Sequence, residues 1–333
     1  MPETENAVPR LLVSDYDFAP EDRERLAAAL GRDGLLVVDG ADALHAALVA
    51  HPEAEVVSSF HPPADLLALA PGVRWLAQPS AGADQLFRAG LVREGGPIVT
   101  TANGIHAVPI SEFVFSVMLL WAKHWRELLA RQRAHEWLDG QRGAIAGREL
   151  CGATLGIVGL GAIGRRVAQL GGCFGMQVVA TRRSARPGDA DADAQLMLPM
   201  DQLDTLLAQS DYVVVAVPNT DATHHLIGGP QFRAMKPSAF FVNIARGAVV
   251  DEPALVRALR DGQIAGAGLD VFETEPLPPD SPLWAMPNVF IAPHISGASA
   301  AYSRRFTDLL LDNLARYRAG QPLRNVVQAE RGY

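Results

Sequence analysis

Three polar residues follow apolar runs in the second half of the chain, and their types suit proton and carboxylate chemistry. Arg246 stands in Asn243-Ile244-Ala245-Arg246-Gly247. Glu275 stands in Leu269-Asp270-Val271-Phe272-Glu273-Thr274-Glu275-Pro276, and His294 in Ile291-Ala292-Pro293-His294-Ile295-Ser296-Gly297. A guanidinium offers fixed donors that bind and polarise a carbonyl or carboxylate. An imidazole, with its ordinary pKa near neutrality, can give a proton to a forming alkoxide. A neighbouring carboxylate orients that imidazole and favours its charged form. Together the three suit hydride transfer to a keto acid, provided that the runs are parallel strands whose carboxyl ends meet.

The positioning elements are legible around them. Gly156-Ile157-Val158-Gly159-Leu160-Gly161-Ala162-Ile163-Gly164 follows a β-branched apolar run and leads into a helical pattern, which gives the G-x-G-x-x-G spacing its expected context. Gly159 would permit the tight turn, Gly161 the close approach of a pyrophosphate, and Gly164 close helix–strand packing. The first N–H groups of the helix, from Ala162 and Ile163 onward, would face the phosphates. The apolar runs predict strands at 11–14, 35–38, 54–58, 74–78 and 97–101, then at 154–158, 177–180, 195–198, 212–217, 239–244, 265–271 and 289–291. Helical patterns cover 20–30, 41–50, 161–173, 200–209, 252–261 and 298–319. A longer one, from Ser111 to about Trp137, contains a stretch apolar nearly all round. It reads equally as a core helix or as one buried between domains or subunits. This alternation predicts an α/β protein with parallel sheets covered on both faces. The Ala-Asp alternation at 189–194 reads as a surface loop.

The 333 residues suggest about two domains, and about 150 of them precede the glycines. Charged residues make up 20% and hydrophobic residues 49%, a globular composition. The net charge of -8, with Lys123 and Lys236 as the only lysines, argues against a nucleic-acid partner. No apolar run is long enough to span a bilayer. Residues 1–10 lack the apolar core of a signal peptide. Cys151 and Cys173 lack metal-site spacing and read as free thiols, so a cytoplasmic location is expected.

An NAD-binding unit carries an acid about 20 residues beyond its glycines, for the ribose 2′-OH. Here the run Gln177-Val178-Val179-Ala180-Thr181 ends in Arg182-Arg183-Ser184. Guanidinium groups and a hydroxyl would bind a 2′-phosphate that a carboxylate would repel. NADP(H) is the expected cofactor, with NAD(H) as the alternative and no metal.

In this order and spacing the motifs resemble the D-isomer-specific 2-hydroxyacid dehydrogenase family, from about Leu11 to Val327. The resemblance includes Pro218-Asn219-Thr220, Asp251-Glu252 and Pro293-His294. It implies two doubly wound parallel-sheet domains, a flavodoxin-like substrate domain and a Rossmann coenzyme domain, with a cleft between. The substrate domain would comprise 1–102 with 296–333, and the coenzyme domain 103–295. Residues 109–148 would form a homodimer contact. Arg246, Glu275 and His294 would be the catalytic set. Val217, Pro218, Ile244, Ala245 and Asp270 would join the glycines around the cofactor. Pro79-Ser80-Ala81-Gly82-Ala83-Asp84 resembles the substrate loop, with Ser80 among the substrate-binding residues and the Ala81 and Gly82 backbone N–H groups receiving the carboxylate. Gln78, His106 and Trp284 are further pocket candidates, and the remaining histidines read as surface or packing residues. The arginines resemble those of NADPH-using members that reduce glyoxylate or hydroxypyruvate to D-2-hydroxy acids. The alternatives are an NAD(H)-dependent enzyme for another substrate and a nucleotide-sensing interaction protein of the same fold. The set carries no Lys in the substrate loop and has Glu rather than Gln at Glu275, which sets it apart from phosphite and formate dehydrogenases.

Overall fold

The computed structural model describes residues 11–137, 142–186 and 188–329. The reading of residues 1–10, and the part of the expected dimer arm at 138–141, lie outside the described residues. Two compact units emerge, Met1–His106 with Ser299–Tyr333, and Ala107–Ala298.

The first unit alternates β1 (Leu12–Ser14), α1 (Pro20–Leu30), β2 (Leu35–Val37), α2 (Gly40–Ala50), β3 (Val56–Ser58), α3 (Leu66–Leu69), β4 (Trp75–Gln78), α4 (Asp84–Arg88) and β5 (Ile98–Thr101). Its parallel sheet has the order β2-β1-β3-β4-β5. Successive side chains of a strand point to opposite faces. Leu12, Val56 and Trp75 accordingly enter one core, and Leu11, Val13, Val57 and Leu76 the other.

The second unit begins with α5 (Ala107–Ala122) and α6 (Trp125–Ala134). It continues through β6 (Thr154–Val158), α7 (Ala162–Cys173), β7 (Gln177–Thr181), β8 (Leu196–Leu198), α8 (Leu203–Gln209), β9 (Tyr212–Val215), α9 (Gly229–Ala234), β10 (Phe240–Asn243), α10 (Glu252–Arg260), β11 (Gly266–Leu269) and β12 (Val289–Ile291). The chain then returns to the first unit with α11 (Tyr302–Arg318), which packs on α1. Beyond it, the Val327 N–H donates to Val99 O at 2.8 Å, tying the following segment to β5.

The second sheet is parallel throughout, in the order β12-β11-β10-β9-β6-β7-β8. Val213, Val215 and Phe241 fill one face, and Tyr212, Val214, Phe240 and Val242 the other. Both faces are therefore apolar, as the strand pattern required. The chain direction across the sheet reverses between β6 and β9, the switch point at which open α/β sheets bind ligands.

The helix expected from Ser111 to Trp137 is two helices. His124 takes a left-handed conformation (φ 52°), and the Ala122 carbonyl instead accepts the Arg148 N–H at 2.8 Å. The helix also starts earlier, at Ala107, and buried Ser111 donates its hydroxyl to Val108 O rather than opening the helix. Of the two readings of its apolar stretch, the core helix holds within this unit. Val114, Phe115, Val117 and Met118 are buried in one core with α7 and the face of the sheet that carries Tyr212, Val214, Phe240 and Val242. Gly266 and Gly268 make this possible, because a Cβ there would stand 3.0 Å from the Trp121 ring and 2.9 Å from Val117. α6, by contrast, buries no residue and exposes Trp125 and Leu129.

Candidate active site

At the end of β6, Gly159 adopts φ 101°, where a side chain would also run into Val217 at 2.7 Å. Gly164 brings α7 onto this turn so closely that a Cβ would lie 2.1 Å from Gly159 O. Gly161 precedes the helix with nothing within 4 Å of a Cβ position, and no side chain caps α7. The turn thus offers open space and backbone donors at a helix N-terminus, the donor set that a dinucleotide pyrophosphate needs. Val217, Ile244 and Ala245 are buried beside the neighbouring strand ends, and Pro218 is exposed.

The Gly159 and Leu160 N–H groups both donate to Thr181 O, at 3.2 and 3.0 Å. This pins the end of β7, and with it Arg182, beside the glycine turn; Arg183 and Ser184 follow, exposed. Arg182 Nη1 lies 3.6 Å from Asp191 Oδ2, and its buried Nε has no hydrogen-bond partner. The loop expected on the surface at 189–194 proves to be anchored. The Asp191 side chain is only 7% exposed and takes a two-pronged contact from Arg165, at 2.8 and 2.9 Å. Arg165 also reaches Asp193 at 2.5 Å. The Arg165 guanidinium holds the Asp191 carboxyl at about 2, well below the usual range.

The three chemistry-bearing residues leave adjacent strands. Asn243 of β10 pairs in register with Leu269 of β11, and Leu269 with Ile291 of β12. The segments stay stitched past the strand ends by Asp270 N–H to Asn243 O at 3.1 Å and His294 N–H to Asp270 O at 2.9 Å. His294 Nδ1 meets Glu275 Oε2 at 2.7 Å, and the other Glu275 oxygen accepts the Phe272 N–H at 3.0 Å. A carboxylate only accepts, so Nδ1 carries the proton of this contact and Nε2 is the ring nitrogen that Glu275 does not hold. The His294 backbone is left-handed (φ 55°), an uncommon conformation for a side chain of this kind. Buried Asp270 over-determines that turn, since its carboxylate accepts the Ile295 N–H at 2.8 Å, the Ser296 N–H at 3.1 Å and the Ser296 hydroxyl. Half-buried Arg246 donates to Ala245 O at 2.8 Å. Gly247, next to it, packs so tightly that a Cβ would stand 1.9 Å from the Phe272 carbonyl. The Arg246 segment and the Glu275 segment are therefore in backbone contact.

In the first unit, the loop at 79–83 leaves β4. Fully buried Gln78 donates to Phe60 O and Ser80 Oγ, both at 3.0 Å. Ser80 Oγ donates to Gly82 O at 2.8 Å, and Ala102 N–H to Ser80 O at 2.9 Å. The Tyr302 hydroxyl donates to Pro79 O, and burial pushes that hydroxyl well above the usual phenol range, keeping it a donor. His106 lies against the Tyr302 ring at 5.1 Å. In the second unit, Trp284 gives its indole N–H to Pro278 O at 2.9 Å and leaves half its surface exposed.

Tyr302, the Arg165–Asp191 pair and the His225–Glu273 contact at 2.8 Å escaped the sequence reading. The aspartates were present at 189–194, but nothing in the sequence tied them to Arg165. Among the described residues, no group of three or more His, Cys, Asp or Glu could hold a metal ion, and no helix is long and apolar enough to cross a membrane.

Residues 115–296 match the D-isomer specific 2-hydroxyacid dehydrogenase, NAD binding domain. A glyoxylate reductase of Aeropyrum pernix is 38% identical over 270 residues, covering 80% of this chain and 79% of that one. A glyoxylate/hydroxypyruvate reductase B of Pectobacterium carotovorum is 39% identical over 267 residues, covering 80% and 82%. The crystal structure of a D-isomer specific 2-hydroxyacid dehydrogenase from Xanthobacter autotrophicus, in complex with NADPH and MES, aligns with a TM-score of 0.83 at 30% identity, over 98% of this chain and 100% of that one. The chain belongs to the D-isomer-specific 2-hydroxyacid dehydrogenase family. It is an NAD(P)-dependent oxidoreductase acting on CH–OH groups.

Proposed function

We propose that this enzyme reduces small 2-keto acids, glyoxylate and hydroxypyruvate first among them, to D-2-hydroxy acids with NADPH. The observation that carries the reading is the His294–Glu275 pair at 2.7 Å, one strand end away from Arg246 and on the sheet that carries the glycine turn. When bound, the reduced nicotinamide supplies hydride to the carbonyl carbon. His294 gives a proton from Nε2 to the carbonyl oxygen, while Glu275 holds Nδ1 and balances the charge of the imidazolium. Arg246 binds and polarises the keto oxygen and carboxylate. Ser80 and the backbone N–H groups of Ala81 and Gly82 complete the substrate set. Gly159, Gly161, Ala162, Ile163 and Gly164 hold the pyrophosphate, with Val217, Pro218, Ile244, Ala245 and Asp270 around the rest of the cofactor. Arg182, Arg183 and Ser184 take the 2′-phosphate. The division of labour assigns substrate binding to 1–102 with 296–333 and cofactor binding to 103–295. The exposed apolar side of α6 fits a homodimer contact within 109–148, and a cytoplasmic location fits the two free thiols.

Absorbance loss of NADPH and NADH against a panel of 2-keto acids tests the reading. Turnover with glyoxylate or hydroxypyruvate, faster with NADPH, is the expected result. Tight cofactor binding with no turnover of any 2-keto acid would replace it with nucleotide sensing.

A further inference from the structure

The arginines that suit a 2′-phosphate do not stand alone. Arg165, Arg182, Asp191 and Asp193 form one cluster beside the glycine turn, with two positive and two negative charges. Arg165 grips Asp191 through two short contacts, whereas Arg182 meets the same carboxylate at 3.6 Å, beyond hydrogen-bond range. Asp191 is thus anchored by one arginine and presented to the other. Its low pKa keeps it charged throughout the neutral range. The Arg182 Nε is buried without a partner and its Nη1 stops at 3.6 Å from Asp191, so Arg182 is not spent on a hydrogen bond to that acid.

We propose that Asp191 is a cofactor-specificity residue: anchored by Arg165, it opposes the 2′-phosphate at Arg182 and narrows the preference for NADPH over NADH. In NAD-binding units the discriminating acid sits at the end of the second strand. Here that position is Arg182, and an acid from the loop before β8 comes back to the same place. This inference rests on the assignment of Arg182 to the 2′-phosphate. An ion pair of this partly exposed kind changes affinity modestly, by a factor of about five or less.

The test is the dissociation constant of each reduced cofactor, read by nucleotide fluorescence in the full chain at low salt. Asp191→Asn is expected to tighten NADPH by about three- to fivefold and to leave NADH within about twofold. Arg165→Met, which frees Asp191 to close on Arg182, is expected to weaken NADPH and spare NADH. NADH affinity reports that each variant is folded, and Arg165→Met carries the test should Asp191→Asn fail to fold. NADPH affinity unchanged or weakened in Asp191→Asn would overturn the proposal. Arg182→Ala, measured alongside, separates the two levels. If it leaves NADPH affinity intact, the 2′-phosphate assignment itself fails. If it weakens NADPH while Asp191→Asn and Arg165→Met change nothing, only the role of Asp191 fails.

Discussion

Gly247→Ala is the sharpest perturbation of the catalytic geometry, because it adds a single methyl group and changes no charge. An added Cβ would stand 1.9 Å from the Phe272 carbonyl carbon and oxygen, and 2.3 Å from Glu273 N. Ordinary contact begins near 3.4 Å, so the two backbones must separate by roughly 1.5 Å, and neither is a flexible side-chain tip. Overpacking of this kind costs about 1–3 kcal/mol, and a backbone-to-backbone collision belongs at the upper end. At about 2–4 °C per kcal/mol for a domain of this size, Tm should fall by about 6–12 °C. The segment that moves carries Glu275, and Glu275 holds His294. A displacement of ~1 Å at reacting groups costs about a hundredfold in rate. Calorimetry and steady-state kinetics on purified protein are the assays, with NADPH affinity measured alongside, because Ile244, Ala245 and Asp270 flank the displaced backbone and belong to the proposed cofactor set. Wild-type Tm and kcat/KM together would refute the packing argument. A lowered Tm with full turnover would refute the coupling of the 272–275 backbone to His294.

Other substitutions separate the remaining roles. Gly161→Ala has an unstrained φ of -86° and nothing within 4 Å, so the melting temperature should hold while cofactor affinity drops if a pyrophosphate sits there. His294→Ala should lower kcat by about 10²–10⁴-fold with NADPH affinity retained, and turnover near wild type would remove His294 from its role. Glu275→Gln should lower kcat less than His294→Ala, since the amide can still accept from Nδ1–H but no longer balances the imidazolium. Asp191 titrates at about 2 in the folded chain against an ordinary 3.8, so its stabilising contribution is complete above about pH 4 and fades as pH falls toward 2. Acid-unfolding curves of Asp191→Asn should therefore be shallower in that window, and identical curves would contradict the ion pair.

The sheets were readable because their strands alternate between two apolar faces, which leaves a plain signature in Val213-Val214-Val215 or Phe240-Phe241-Val242. The glycine turn was readable because Gly159 and Gly164 answer steric demands that no other residue meets, and Gly161 completes the spacing between them. Arg246, Glu275 and His294 announced themselves by following those strands, and the register of β10, β11 and β12 then aligns their segments. The break at His124 was not readable, because Trp121 to Trp125 keeps a helical pattern and the competing bond comes from Arg148, more than twenty residues on. The anchoring of 189–194 escaped for the same reason. A local reading of Asp-Ala-Asp-Ala-Asp sees a solvated loop, whereas Arg165, which organises it, belongs to another element. The short helices α3, α4 and α9 carry too few residues for a period to show.

The split at His124 has a consequence for order in the chain. α5 is locked into a core, but α6 is ten residues long and buries none of them. A helix of that length is marginal in water on its own. Its backbone amides should then open with little free-energy cost whenever its Trp125 and Leu129 side is bare. Hydrogen exchange at 125–134 would consequently serve as a gauge of whatever occupies that side: rapid at dilutions where nothing does, and slow where a second surface covers it.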